Sequence, residues 1–523
     1  MSSTLAQPEP RSPAWAEAPA ASSPAIASSP PGILGAVLEA TAAGPASSKL
    51  EQFLGEPSLE KSLADWLRWT LPPGASLDRP SLAGLLARDV ARLDTAISEQ
   101  VNAILHHPRF QKLEGSWRGL RHLAEQTDDE SDVRIRVLNL PWKELARDVE
   151  RAVEFDQSQL FRKIYGEEFD TPGGQPFGLL LGDYEIHHRP TAEHPLDDVA
   201  ILTAVSHVAA AAFAPFIAGV HPSMFGLDDF TGLEQPLNLA RSFDQLEFVK
   251  WKAFRDSEDS RFTGLTMPRV LMRLPYDDDG SRVDGFRFHE DVGRPDQSQY
   301  LWGSAAYAFG AVVIRSFAES GWLAGIRGVR RGEESGGLVP GLPVHSFATD
   351  RRGIAPKCST DAVITDYQEQ ELGELGFIPL CHCADTEYSA FYGNQSIQKR
   401  KKYDEPAATT NARLSTMLQY MLCVSRFAHY LKVIARDKIG SFSEASDCEY
   451  FLHNWLQTYV TSDSEAPPDV KARYPLREAT VRVREHPEKP GAYVCIAHLW
   501  PHFELDELRT TMRITTELTH STQ

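Results

Sequence analysis

The chain has 523 residues, of which 42% are hydrophobic and 24% charged, with a formal net charge of −19. A single core stops growing at roughly 250–300 residues, so more than one subdomain is expected. The acid excess argues against a nucleic-acid partner, which would need a basic face, and no apolar run approaches the ~18 residues that would insert into a membrane.

Residues 1–48 are dominated by Ala, Ser and Pro, a composition that cannot bury enough apolar surface to offset the entropy of ordering. One island interrupts this arm. Ile33, Leu34, Val37 and Leu38 would share a face of a two-turn helix, too short to persist without something to lie against. The stretch 49–130 is helical in pattern. Leu82, Leu86, Val90, Leu93, Ile97, Val101 and Ile104 recur at spacings of four and three, with Ser81 placed to cap the helix and Pro108 to stop it. A stripe of that length suits a partner helix or a larger body. A second helix over Phe110–Gln126 sets Phe110, Leu113, Trp117 and Leu120 on one face.

Alternation at Val133, Ile135 and Val137 against Arg134 and Arg136 predicts a half-buried strand. Helices over Pro141–Phe155, Leu196–Ala214, Gln235–Asp256 and Tyr300–Ser320 then alternate with strands over Phe177–Ile186 and Arg269–Leu274. The apolar stretch Val208–Val220, broken by Pro215, reads as a buried helix leading into a strand. Such alternation predicts a mixed α/β body, running through 131–345 and on through 346–460. Breaks near Thr171–Pro176, Asp277–Gly285 and Gly332–Pro343 are candidate subdomain boundaries. After the polar linker Thr461–Asp469 the pattern changes. Val481–Arg484 alternates, a turn spans His486–Gly491, and a strand follows over Ala492–Trp500. Leu508, Thr510, Met512, Ile514, Thr516 and Leu518 then alternate with polar residues, so 470–523 is predicted to be a β-strand arm whose last strand needs a mate.

No P-loop, no GxGxxG after a strand and no GxSxG elbow occurs. A protein that performs work without a nucleotide site must release energy stored at assembly. Cys381-His382-Cys383 is the sharpest metal-like motif, but in a strand the two thiols point one way and the imidazole the other. The six cysteines show neither a disulfide framework nor paired zinc spacing, and the N-terminus has no leader pattern, which together point to a reducing cytoplasm. His187, His188 and His194 lack metalloprotease or facial-triad spacing and read as loop or interface histidines. Asp256, Glu258 and Asp259, flanked by Arg255 and Arg261, read as internally paired charges. Lys399, Arg400, Lys401 and Lys402 form the one compact basic run, a candidate contact with an acidic neighbour.

Five blocks in register carry a longer message: Leu93–Leu120, Phe155–Pro190 (FDQSQLFRKIYGEEFDTPGGQPFGLLLGDYEIHHRP), Arg255–Tyr276, Tyr300–Gly310 and Lys471–Val483. Together with Leu375–Ser441 they resemble the large subunit of the type VI secretion contractile sheath. The resemblance implies a phage-tail-sheath-like body of several subdomains, with an N-terminal helical region and a C-terminal β-strand arm. It implies a structural polymer without cofactor, metal or catalysis. Its expected partners are a small sheath subunit, an inner tube protein, the baseplate, an AAA+ recycling unfoldase and further copies of itself. On that expectation Leu86, Val90, Leu93, Ile97, Val101 and Ile104 meet the small subunit. Ile33, Leu34, Val37 and Leu38 are the unfoldase's handle, Leu508, Thr510, Met512, Ile514 and Thr516 join a neighbour's sheet, and Lys399–Lys402 face the tube or a neighbour. Two other readings stand beside it. One is a metal-dependent enzyme using Cys381, Cys383 and nearby histidines; the other is the sheath of a related phage-like injection machine.

Overall fold

The computed structural model describes residues 47–71, 78–127, 132–235, 237–281, 286–292, 297–329, 335–345, 358–384, 386–437, 445–463, 465–485 and 493–502. The chain divides into two compact units, 1–91 and 92–523. In the first, helices α1 (Ser47–Leu54) and α2 (Leu59–Thr70) bring Phe53 and Trp69 to a ring separation of 5.3 Å, and Trp66 Nε1 donates to Asp89 Oδ2 at 3.1 Å. The long helix α3 runs from Arg79 to Leu105. Its first turn is capped by Asp78, whose Oδ1 accepts from Ser81 N, and not by Ser81 as the sequence suggested. Pro108 is the first residue of the next helix, α4 (Pro108–Glu125), where its missing N–H costs nothing.

The body of the second unit is built on a parallel sheet. Helix α5 (Trp142–Arg151) precedes strand β1 (Leu180–Ile186). Helix α6 (Asp198–Ala212) leads to β2 (Phe216–Val220), and α7 (Val249–Asp256) to β3 (Thr263–Met267). Every residue of β2 and β3 is buried, as expected of parallel strands covered on both faces. Short strands β4 (Val270–Leu271) and β5 (Trp302–Gly303) pair antiparallel ahead of helix α8 (Ala305–Ser320). After β6 (Leu338–Val339), helix α9 (Asp366–Glu374) precedes β7 (Phe377–Pro379), which completes a sheet of order β1-β2-β3-β7. Alternate sheet residues divide between two cores. Phe216, Ala218, Leu265 and Phe377 pack with Leu202 and Val205 of α6, whereas Ile217 and Ile378 pack with Phe309 and Val312 of α8. Because β7 follows residue 345 and pairs with β3 before it, one sheet draws on both stretches of the body.

Strands β8 (Cys381–His382) and β9 (Ser389–Ala390) join β6 in a small second sheet. Helices α10 (Pro406–Ser415), α11 (Leu418–Asp437) and α12 (Ala445–Gln457) follow, then β10 (Leu476–Glu485) and β11 (Tyr493–Pro501) as an antiparallel hairpin. Leu476, Ala479, Val481 and Val483 of β10 pack on Phe427, Leu452 and Leu456 of α11 and α12.

Three expectations need correction. The segment 133–137 is no strand. It has no ladder partner among the described residues, and Ile135 and Val137 are exposed. Its arginines hold it instead, Arg134 on Gln175 at 2.8 Å and Arg136 on Glu168. The helix expected over Gln235–Asp256 is broken; only Leu239–Ser242 and α7 are α-helical, with a 3₁₀ turn at Leu246–Phe248. The strand expected over Arg269–Leu274 shrinks to β4, and β3, one of the sheet's two interior strands, lies just before it.

Candidate functional site: the assembly surfaces

Helix α3 leaves most of its apolar stripe in water. Leu86, Val90, Leu93, Ile97 and Ile104 are exposed and Val101 is half-buried. Its C-terminal end is nevertheless fixed by a buried polar network. Arg273 Nε donates to Glu114 Oε1 and its Nη2 to Glu290 Oε1, each at 2.9 Å; Tyr276 N donates to Glu290 Oε2 at 2.9 Å, and His106 Nε2 lies 3.3 Å from Glu290 Oε1. Burial alone would raise the Glu290 carboxyl, but these donors outweigh it and hold it below the usual carboxylate range.

Helix α4 behaves unlike its sequence. Of the face that the sequence grouped, Phe110, Leu113 and Trp117 are exposed, Trp117 to 65%. The buried residues are Gly115, Gly119 and Leu123. A Cβ at Gly119 would lie 2.3 Å from the Tyr307 ring of α8, so glycine is what allows the close helix approach. The large face is thereby turned away from the body. It walls a groove of about 1300 Å³ with the extended segment 133–138, β1 and α8. Strand β1 is the sheet's outer strand there, paired only with β2. Nothing in the sequence marked this groove except the paired glycines at spacing four, Gly115 and Gly119, on the face opposite the aromatic one.

The basic run is only partly presented. Lys401 Nζ pairs with Glu258 at 2.8 Å, and Arg400 turns in to Gln395 Oε1 at 3.0 and 2.7 Å. Lys399, Lys401 and Lys402 are exposed and Arg400 is half-buried. Glu258 is also paired with Arg261, as expected of an internally neutralised run. Arg255, however, bonds no carboxylate of that run. It is buried and donates to the carbonyls of Ile397 and Glu374 at 3.1 and 2.7 Å. The hairpin turns Val494, Ile496 and Trp500 outward. The strand residues Leu508, Thr510, Met512, Ile514 and Thr516, and the island Ile33, Leu34, Val37 and Leu38, lie outside the described residues.

Among the described residues the thiols do not gather with other donors into a metal-sized cluster. Cys381 is buried opposite Ala390, and burial pushes its thiol up; Cys383 Sγ sits 3.6 Å from Tyr392 OH, and the His382 ring faces Ser389. Of the three histidines of 187–194, one stands apart from the other two. His188 is buried, stacked on Phe248 at 4.6 Å, while His187 and His194 close on Asp198.

Residues 87–398 match the family model described as the EvpB/VC_A0108 tail sheath N-terminal domain, and 407–518 match its tail sheath gpW/gp25-like domain. The chain is similar to the type VI secretion system sheath protein TssC1 of Pseudomonas aeruginosa, 42% identical over 432 residues that cover 82% of this chain and 85% of that protein. Two distant likenesses are the anti-feeding prophage baseplate (TM-score 0.35, 10% identity, 74% of this chain and 84% of that one) and its helical sheath in the contracted state (TM-score 0.28, 12% identity, 62% and 67%).

Proposed function

The chain belongs to the EvpB/VC_A0108 tail sheath family and is a structural subunit of a type VI secretion contractile sheath; we propose that it pairs with a small sheath subunit, polymerises around an inner tube and contracts to propel it. The observation that carries this reading is identity to a sheath protein sustained over most of both chains. The exposed faces of α3 and α4 support it physically, since apolar surface of that extent on a free subunit calls for a mate. The groove beside Trp117 and β1 would extend the same contact. Within the polymer, the hairpin β10–β11 and the segment 508–523 would pair with strands of adjacent subunits, main-chain hydrogen bonds giving affinity without special side chains. The tether before the hairpin would let the body rotate while the strands stay paired. Contraction would then be a passage between two lattice packings, the higher one trapped at assembly.

The exposed lysines of the basic run, Lys399, Lys401 and Lys402, would meet the tube or a neighbour. The Ile33–Leu38 island would serve as the handle for a recycling AAA+ unfoldase. The work would be done in the cytoplasm and without catalysis. No helix among the described residues is long and apolar enough to cross a membrane. Electron microscopy of the chain co-expressed with its small partner tests the whole reading. Hollow helical tubules are expected, and a soluble complex that never polymerises would refute it.

A further inference from the structure

Strand β1 ends at Ile186, so His187 emerges at its carboxyl end, on the wall of the groove. Pro190 and Pro195 bracket a tight return, closed by Thr191 N to His194 O at 2.7 Å and His194 N to Thr191 Oγ1 at 3.0 Å. That return lays the His194 ring on His187, with centroids 4.2 Å apart and planes 15° apart. Four residues on, Asp198 opens α6 with its carboxylate fully buried. Oδ1 accepts from His194 Nε2 at 2.7 Å and from Trp142 Nε1 at 2.6 Å; Oδ2 accepts from His187 N at 2.9 Å and faces His187 Nδ1 at 3.1 Å. A third imidazole, His221 just beyond β2, stacks on His187 at 4.1 Å. Its Nδ1 accepts from Ser223 N, so it braces the ring and offers no lone pair there.

We propose that His187, His194 and Asp198 form a binding site for a zinc-class divalent transition-metal ion. Their donor atoms all lie within 4.8 Å of one another. In a tetrahedral site with bonds of about 2.0–2.1 Å, ligand atoms sit roughly 3.3 Å apart, so the stacked rings must turn and the widest-set donors, now within 4.8 Å, must close by up to about 1.5 Å as the present hydrogen bonds open to an ion. Two imidazoles and a carboxylate suit zinc and its neighbours better than calcium or magnesium, which prefer all-oxygen cages. On binding, the ring nitrogens facing Asp198 become ligands, and each neutral imidazole moves its proton to its other nitrogen. Trp142 Nε1 supplies the outer hydrogen bond that orients the carboxylate. The groove leaves the fourth position to water. A bound ion would clamp the end of β1 to the start of α6, stiffening the wall against which a partner docks.

The test uses the untagged full-length chain purified with its sheath partner, stripped by chelator and titrated first with Zn²⁺ alone, then with Co²⁺ alone. One zinc per copy of this chain is expected that the His194→Ala complex lacks, with a Co²⁺ spectrum showing ligand-field bands and no thiolate charge transfer. Trp142→Phe should weaken binding by about 10- to 100-fold. His188→Ala, which alters the neighbouring ring outside the cluster, should bind as wild type. Equal stoichiometry and affinity in wild type and His194→Ala, or a thiolate band in the cobalt spectrum, overturns the proposal.

Discussion

Replacing Leu93 and Ile97 of α3 by Asp tests the partner face directly. Leu93 is 63% and Ile97 45% exposed, so neither contributes much to the chain's own core. The cost to the fold is that of helix propensity, about 1 kcal/mol for the pair. The cost to docking is larger. Fully burying such a side chain is worth about 1.5–3 kcal/mol, and roughly half of each remains to be buried, which gives about 2 kcal/mol for the two. Two carboxylates taken into an apolar contact add several kcal/mol more. A total near ~5 kcal/mol weakens pairing by three to four orders of magnitude. The assay is co-purification of the small subunit, with the thermal melt of the chain as the folding control. The Leu93→Ala, Ile97→Ala pair, lacking the charge, should retain weakened binding. Undiminished co-purification and tubules from the double Asp variant would refute the assignment of α3 to the partner.

Deleting 508–523 should leave the heterodimer intact but prevent long tubules, read as tubule length beside heterodimer yield; full-length tubules would place the links in the globular bodies. Changing Leu34 and Leu38 to Ser should preserve assembly and contraction while contracted sheaths accumulate, and an unchanged disassembly rate would remove the handle from that island. His429 of α11 is buried with Nε2 2.9 Å from Ala212 O, and burial pushes its pKa down to about 4. The unfolded chain therefore takes up the proton first, near pH 6.5. The buried neutral ring costs nothing above that pH, and stability falls as pH drops from about 6.5 to 4, by up to about 3 kcal/mol. His429→Gln should flatten that loss in urea titrations at pH 7.5 and pH 5; parallel losses in the two proteins would show that the acid sensitivity lies elsewhere.

Local periodicity by itself determined α3, α4, α6, α8 and the strands of the hairpin, because hydrogen bonds within a helix, or between strands adjacent in the chain, need no distant partner. The blocks shared with the sheath family were likewise legible, as they are order along the chain. Tertiary structure decided which faces are used. The apolar stripe of α4 was legible as one face, yet Gly115 and Gly119 let the opposite face approach α8, and Trp117 stays exposed. Val133–Val137 alternates like a strand but meets no ladder, whereas β3 (Thr263–Met267) has no alternation because both its faces are buried. His187 and Asp198 stand 11 positions apart. Only the end of β1, the proline-bracketed return and the first turn of α6 bring them into one site, since side chains converge through packing between elements and not through spacing within one.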